Sequence, residues 1–75
     1  MDYKGFEQFR NMVERGEISL GDTITIIGSH DTDYRFSAVD LRHGQKVYKL
    51  SDSKSNRNAR NLLINQTWFV KSKPR

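Results

Sequence analysis

Leu20-Gly21-Asp22-Thr23-Ile24-Thr25-Ile26-Ile27-Gly28 decides the class of fold. From Thr23 to Ile27 every residue is β-branched. Such side chains lose rotamer freedom in a helix and fit the pleated surface of a strand. Ile24 and Ile26 fall on one face, Thr23 and Thr25 on the other, which predicts a strand over residues 22–28 with one face in the core. Gly21-Asp22 in front and the polar segment 28–33 behind are turn chemistry.

Residues 34–51 read as a hairpin around Arg42-His43-Gly44. A three-residue loop with Gly44 in the left-handed region sets Asp40 against Lys46, Val39 against Val47, Ala38 against Tyr48 and Phe36 against Leu50. Opposite charges then meet and apolar residues share a face. A two-residue loop at His43-Gly44 sets Asp40 against Val47 and Ala38 against Lys49, a poorer set of cross-strand pairs. The sequence therefore favours strands over 34–41 and 45–51 in the first register.

Upstream, Tyr3, Phe6, Phe9, Met12 and Val13 recur at spacings of three and four. That period predicts a helix over about 3–15 with one apolar stripe, capped by Asp2 and ended by Gly16, with Arg10 and Glu14 as an oppositely charged pair. Downstream, residues 51–61 hold no large apolar side chain, and their Ser and Asn residues compete with the backbone for hydrogen bonds. This predicts a basic polar loop, with room for a single helical turn around 55–61. Leu62-Leu63-Ile64 and the run from Thr67 to Lys71 read as two short strands or one bent strand. A basic tail, 71–75, closes the chain.

The expected fold is α+β and mainly β: an N-terminal helix, then a four- or five-stranded antiparallel small barrel or rolled sheet in a single domain, 1–75. The segment from Leu20 to Gly28, followed by a loop and a hairpin ending in Val47-Tyr48-Lys49-Leu50, resembles the opening of a KOW- or Tudor-type barrel. The resemblance covers about residues 20–50 and implies a small closed barrel.

Seventy-five residues exclude a large enzyme cleft or a dinucleotide-binding domain. Cysteine is absent, which removes disulfide scaffolds, thiolate metal sites and thiol nucleophiles. The opening residues carry no apolar signal-like segment, and no apolar run exceeds three residues, far short of the ~20 that span a membrane. A cytoplasmic protein with no membrane partner is the expectation. His30-Asp31-Thr32-Asp33 reads as a polar loop: a metal ion wants three or four converging ligands, and the second histidine, His43, sits at the hairpin tip. No catalytic residue, metal or cofactor is expected.

Charge is the functional signal. The formal net charge is +4, yet residues 1–41 hold four basic and eight acidic residues and residues 42–75 hold nine basic and one acidic. A net of −4 is followed by a net of +8. Such asymmetry points to a polyanionic or strongly acidic partner. Lys49, Lys54, Arg57, Arg60, Lys71 and Lys73 are the expected phosphate ligands. Lys54, Arg57 and Arg60 lie three apart, so a helical turn would align them; Lys46 projects opposite Lys49. Tyr48 and Trp68 are the expected stacking aromatics, with Tyr34 and Phe69 beside them, although a sole Trp in a small domain also serves as a core plug.

The expected function is non-enzymatic binding of nucleic acid, RNA or single-stranded DNA more than duplex. The alternative is a small protein-binding inhibitor or adaptor that meets an acidic protein surface, of the kind phages encode against host enzymes or defence systems. An exposed strand edge leaves a monomer or a small homo-oligomer equally open.

Overall fold

A computed structural model describes residues 1–72 of the chain. The β-branched run forms β2 (Thr23–Ile27), and a sheet grows on both sides of it. On one side lie β3 (Thr32–Arg42), β4 (Gln45–Ser51) and β5 (Asn56–Asn58). On the other lie β6 (Thr67–Ser72) and β1 (Tyr3–Lys4). The result is mainly β: one six-stranded sheet in the order β1-β6-β2-β3-β4-β5, with every neighbour antiparallel.

The strand count exceeds the four or five expected, and the sheet does not close. β1 and β5 stand at its two ends, with two and three residues, and do not pair with each other. Strands that short give few bonds with which to seal a barrel. The core face is instead covered by α1 (Phe6–Glu14) and α2 (Ala59–Leu63). The closed barrel implied by the KOW or Tudor resemblance is therefore not formed.

The apolar stripe of α1 packs as its period requires: Phe6, Phe9 and Met12 are buried. The helix is shorter than 3–15, because Tyr3 pairs with Trp68 across β1 and β6. Gly5, not Asp2, takes the N-cap, with φ 85° and ψ 169°. Only glycine adopts that conformation readily. Its N–H donates to the Gln66 carbonyl at 2.9 Å, tying strand to helix across the sheet's end. Gly16 ends the helix as expected, and Arg10 pairs with Glu7 rather than with Glu14.

The β3–β4 hairpin resolves the two registers in an unexpected way. Arg42 pairs with Gln45, so the loop is the two-residue His43-Gly44, both at positive φ (50° and 76°). Two successive left-handed residues form the primed turn whose twist matches that of the strands. Asp40 then faces Val47 and Ala38 faces Lys49, the pairs that side-chain matching disfavoured. A register shift between Phe36 and Ala38 inserts Ser37 as a bulge and restores the expected Phe36–Leu50 pair. Turn geometry fixes the tip, and the bulge keeps Phe36 and Leu50 in the core, where they are 1% and 0% exposed.

Leu62-Leu63 is helix and not strand. Asn58 caps α2 by accepting the Arg60 N–H at 2.9 Å, and Ala59 and Leu63, four apart, are both fully buried. Asn65 then turns the chain at φ 58° into β6. The segment 51–61 is accordingly no plain loop: it contains a turn, β5 and the start of α2.

Aromatic packing joins the layers. The Phe9 ring meets Phe36, Trp68 and Tyr48 edge-on, with centroids 5.4, 5.7 and 6.1 Å away. Ile18, Ile24, Leu50 and Leu63 fill the space around them. The Asp22 carboxylate, in a residue 2% exposed, accepts the Ser19 N–H at 2.9 Å; the Asp22 carbonyl accepts the Phe36 N–H at 2.9 Å, and the Phe36 carbonyl accepts the Gly21 N–H at 2.8 Å. The Gly-Asp turn is thus wired to the middle of β3.

Candidate nucleic-acid interface

Directly opposed residues on neighbouring strands share a side of the sheet. That rule divides the basic residues. Arg57 lies opposite Leu50, on the core side, where α2 carries Arg60. Lys46 alternates with Tyr48 and Leu50 and projects to that side too. Lys49 lies opposite Asn58 on the other side, as the sequence reading of Lys46 and Lys49 requires. Lys54 stands in the turn between β4 and β5.

The expected helical alignment of Lys54, Arg57 and Arg60 does not occur, because one sits in a turn, one in a strand and one in a helix. They are nevertheless carried by consecutive segments at one edge of the sheet. The turn is rigidly made: one Asp52 carboxylate oxygen accepts the backbone N–H groups of Lys54 and Ser55 at 2.8 and 2.7 Å and the Ser55 hydroxyl at 3.1 Å. The Lys54 and Ser55 amides hold the Asp52 carboxyl below its ordinary range. The Arg60 guanidinium lies 4.7 Å from the centre of the Phe6 ring, a cation–π contact that fixes its direction. Among the described residues, none of Lys46, Lys49, Lys54, Arg57 and Arg60 forms an ion pair.

Lys71 lies elsewhere and is engaged. Its Nζ donates to Asp33 at 2.7 Å, and the other Asp33 oxygen accepts the Thr25 hydroxyl at 2.8 Å. Lys73 falls outside the described residues. The two stacking candidates are in the core. Trp68 is fully buried beside Tyr3 and Phe9 and donates Nε1–H to the Gly5 carbonyl at 2.9 Å. Tyr48 is 2% exposed, with its hydroxyl 3.5 Å from Glu14. Burial, and then the Glu14 charge, raise the Tyr48 pKa, while Arg10 opposes them. A base would have to unpack the core to reach either ring. Tyr34, half-buried, instead lines an open groove of about 530 Å³ with Thr23, Asp33, Arg35 and the Ser51–Ser53 turn.

His30 and His43 bracket opposite ends of β3. The ten residue-to-residue steps of β3, at ~3.3 Å each, separate its ends by roughly 30 Å, so the two histidines are too far apart to share a metal ion. Asp31 accepts the Gly28 N–H and so serves its own loop.

The Asp33 contacts have a pH consequence. The Lys71 hydrogen bond first, and the Thr25 hydroxyl second, hold the Asp33 carboxyl below its ordinary 3.8. A depressed folded-state pKa gives stabilisation that is present above the unfolded value and lost as pH falls through the folded one. Asp33→Asn is therefore expected to flatten part of the acid limb of thermal stability below about pH 4. Both groups are partly exposed, so the effect is small and shrinks with salt. An acid limb identical to that of the parent would show that this contact does not persist in solution.

The sequence reading takes Arg10 only as a partner for Glu14 and places neither Arg10 nor Arg35 among the phosphate ligands. Arg10 sits on the polar side of an amphipathic helix, where a charge usually means no more than solvation. Comparison with protein families, curated proteins and solved structures finds no match for this chain.

Proposed function

We propose that the protein is a non-enzymatic nucleic-acid-binding module that grips the phosphates of RNA or single-stranded DNA along its β4–β5–α2 edge. One observation carries the reading. Lys46, Arg57 and Arg60 lie on one side of that edge, Lys49 on the other and Lys54 in the turn between; among the described residues none of the five has an ion-pair partner, and the one carboxylate between residues 45 and 72, Asp52, is turned onto backbone amides. Arginine binds phosphate through a planar fork, and the Asn and Ser side chains around it add uncharged donors. Tyr34, in the neighbouring groove, offers the ring for a base. α2 has five residues and no length with which to enter a major groove, which favours single strands over duplex.

Fluorescence anisotropy with a labelled single-stranded oligonucleotide tests this. Each phosphate neutralised on a single strand contributes roughly −0.7 to the log–log salt slope, so four contacts weaken binding by about 50-fold between 50 and 200 mM salt. Arg57→Ala with Arg60→Ala is expected to lower affinity at least about tenfold and to make the slope shallower. No binding at low salt, or affinity unchanged in the double variant, refutes the reading. A stoichiometric partner captured from lysate that survives nuclease treatment would favour an acidic protein surface instead.

A further inference from the structure

Between α1, β4 and α2 lies a pocket of about 270 Å³ lined by Arg10, Glu14, Gln45, Lys46, Tyr48 and Arg60. Three of these six side chains are cationic and one is acidic. The Glu14 carboxylate stands 3.5 Å from the Tyr48 hydroxyl. Arg10 gives one terminal nitrogen to Glu7, while its Nε is buried and meets no protein acceptor. A buried donor without an acceptor is costly, and costlier when it belongs to a charged group. Arg60 is held over Phe6, and among the described residues neither Arg60 nor Lys46 has an ion-pair partner.

From this convergence we infer that the pocket is an anion site for a phosphate group, bound by Arg60, Lys46 and the terminal guanidinium N–H groups of Arg10 that Glu7 does not take. A guanidinium fork and an ammonium supply the charge-assisted donors that a phosphate's oxygens accept. A water occupies about 30 Å³ of liquid, and a phosphate is only a few times larger, so the volume suffices. Glu14, lying against Tyr48, leaves the site with a net positive charge. The pocket itself stands independently of the nucleic-acid proposal; the identity of the phosphate's carrier, an oligonucleotide, rests on that proposal.

The test titrates inorganic phosphate into the ¹⁵N-labelled protein against chloride at matched ionic strength, following the Arg Nε–H signals. Saturable shifts at Arg10 and Arg60 with phosphate, absent with chloride, are expected. Lys46→Ala removes an exposed side chain, and should weaken phosphate about tenfold while leaving the thermal transition in place. Arg60→Lys retains charge but loses the fork and should weaken it as well. Non-saturating shifts, equal response to chloride, or unchanged affinity in both variants overturns the site. Oligonucleotides with and without a 5′-phosphate then distinguish the carriers. A preference for the phosphorylated end assigns the pocket to a terminal monoester, and equal binding with the same Arg10 shifts assigns it to the backbone. If phosphate binds and neither oligonucleotide does, the pocket stands and the nucleic-acid reading falls. If oligonucleotides bind with Arg10 silent and inorganic phosphate gives no saturable shift, the pocket falls and the reading stands.

Discussion

Phe9→Ala is expected to lose about 3–5 kcal/mol of folding stability, the range for truncating a buried aromatic. The ring is fully buried and stands between α1 and the sheet, in contact with Phe6, Phe36, Tyr48 and Trp68. No neighbouring side chain can collapse into the space without leaving its own partners, so the cavity term adds to the lost transfer energy. A domain of this length has roughly 4–11 kcal/mol in total, at about 0.05–0.15 kcal/mol per residue. The loss is therefore about a quarter of the stability or more. Urea unfolding followed by circular dichroism should show a midpoint lower by about 1–5 M, given m near 1–3 kcal/mol/M. Leu41→Ala is the control: Leu41 is 73% exposed near the hairpin tip, and its loss should change stability by less than about 0.5 kcal/mol. A Phe9→Ala effect no larger than that of Leu41→Ala would contradict the packing described.

Trp68→Ala is expected to cost a similar ~3–5 kcal/mol, and it bears directly on function. The indole fills the core between β1, β6 and α1, and its N–H is bound by the Gly5 carbonyl at the N-cap of α1. Any loss of oligonucleotide binding in this variant follows the loss of fold. Trp68→Phe separates the two effects. It keeps most of the apolar volume and removes one hydrogen bond, at a cost of about 1–3 kcal/mol. The folded Trp68→Phe protein should bind oligonucleotide as the parent does. Because Trp68 is the sole tryptophan, its emission is a clean probe: saturating oligonucleotide should leave the emission maximum and intensity unchanged. Quenching on binding would place the indole in the interface and overturn its assignment to the core.

Much of the architecture is legible in local chemistry. The β-branched run at 23–27, the stripe of Phe6, Phe9 and Met12, and the alternation that sends Trp68 and Phe69 to opposite faces are each dictated by residues within a few positions of one another. The hairpin was legible only in part. Side-chain pairing judged the register one pair at a time, whereas the backbone twist of His43-Gly44 and the bulge at Ser37 satisfied turn and core together. A bulge carries no side-chain signature in Ser37 itself. Leu62-Leu63 was ambiguous for another reason: a short apolar run fits strand or helix, and the Asn58 cap with the Ala59–Leu63 spacing was the signal that decides it.

For the candidate site, the cationic character of residues 46–60 was visible and their arrangement was not. Counting charge along the chain located the Lys and Arg residues. Only pairing partners divide them between the two sides of the sheet, engage Lys71 with Asp33, and bring Arg10 of α1 to Lys46 and Arg60.

The sequence by itself determined a mainly β chain with one amphipathic helix at its start and a strong separation of charge, because these follow from side-chain type and period alone. The tertiary structure decided that the sheet stays open with six strands, that Tyr48 and Trp68 lie in the core, and which cations remain unpaired among the described residues. Those outcomes depend on contacts between residues far apart in the chain. The Trp68–Gly5 bond spans 63 positions and the Asp33–Lys71 pair spans 38, distances over which no local propensity acts.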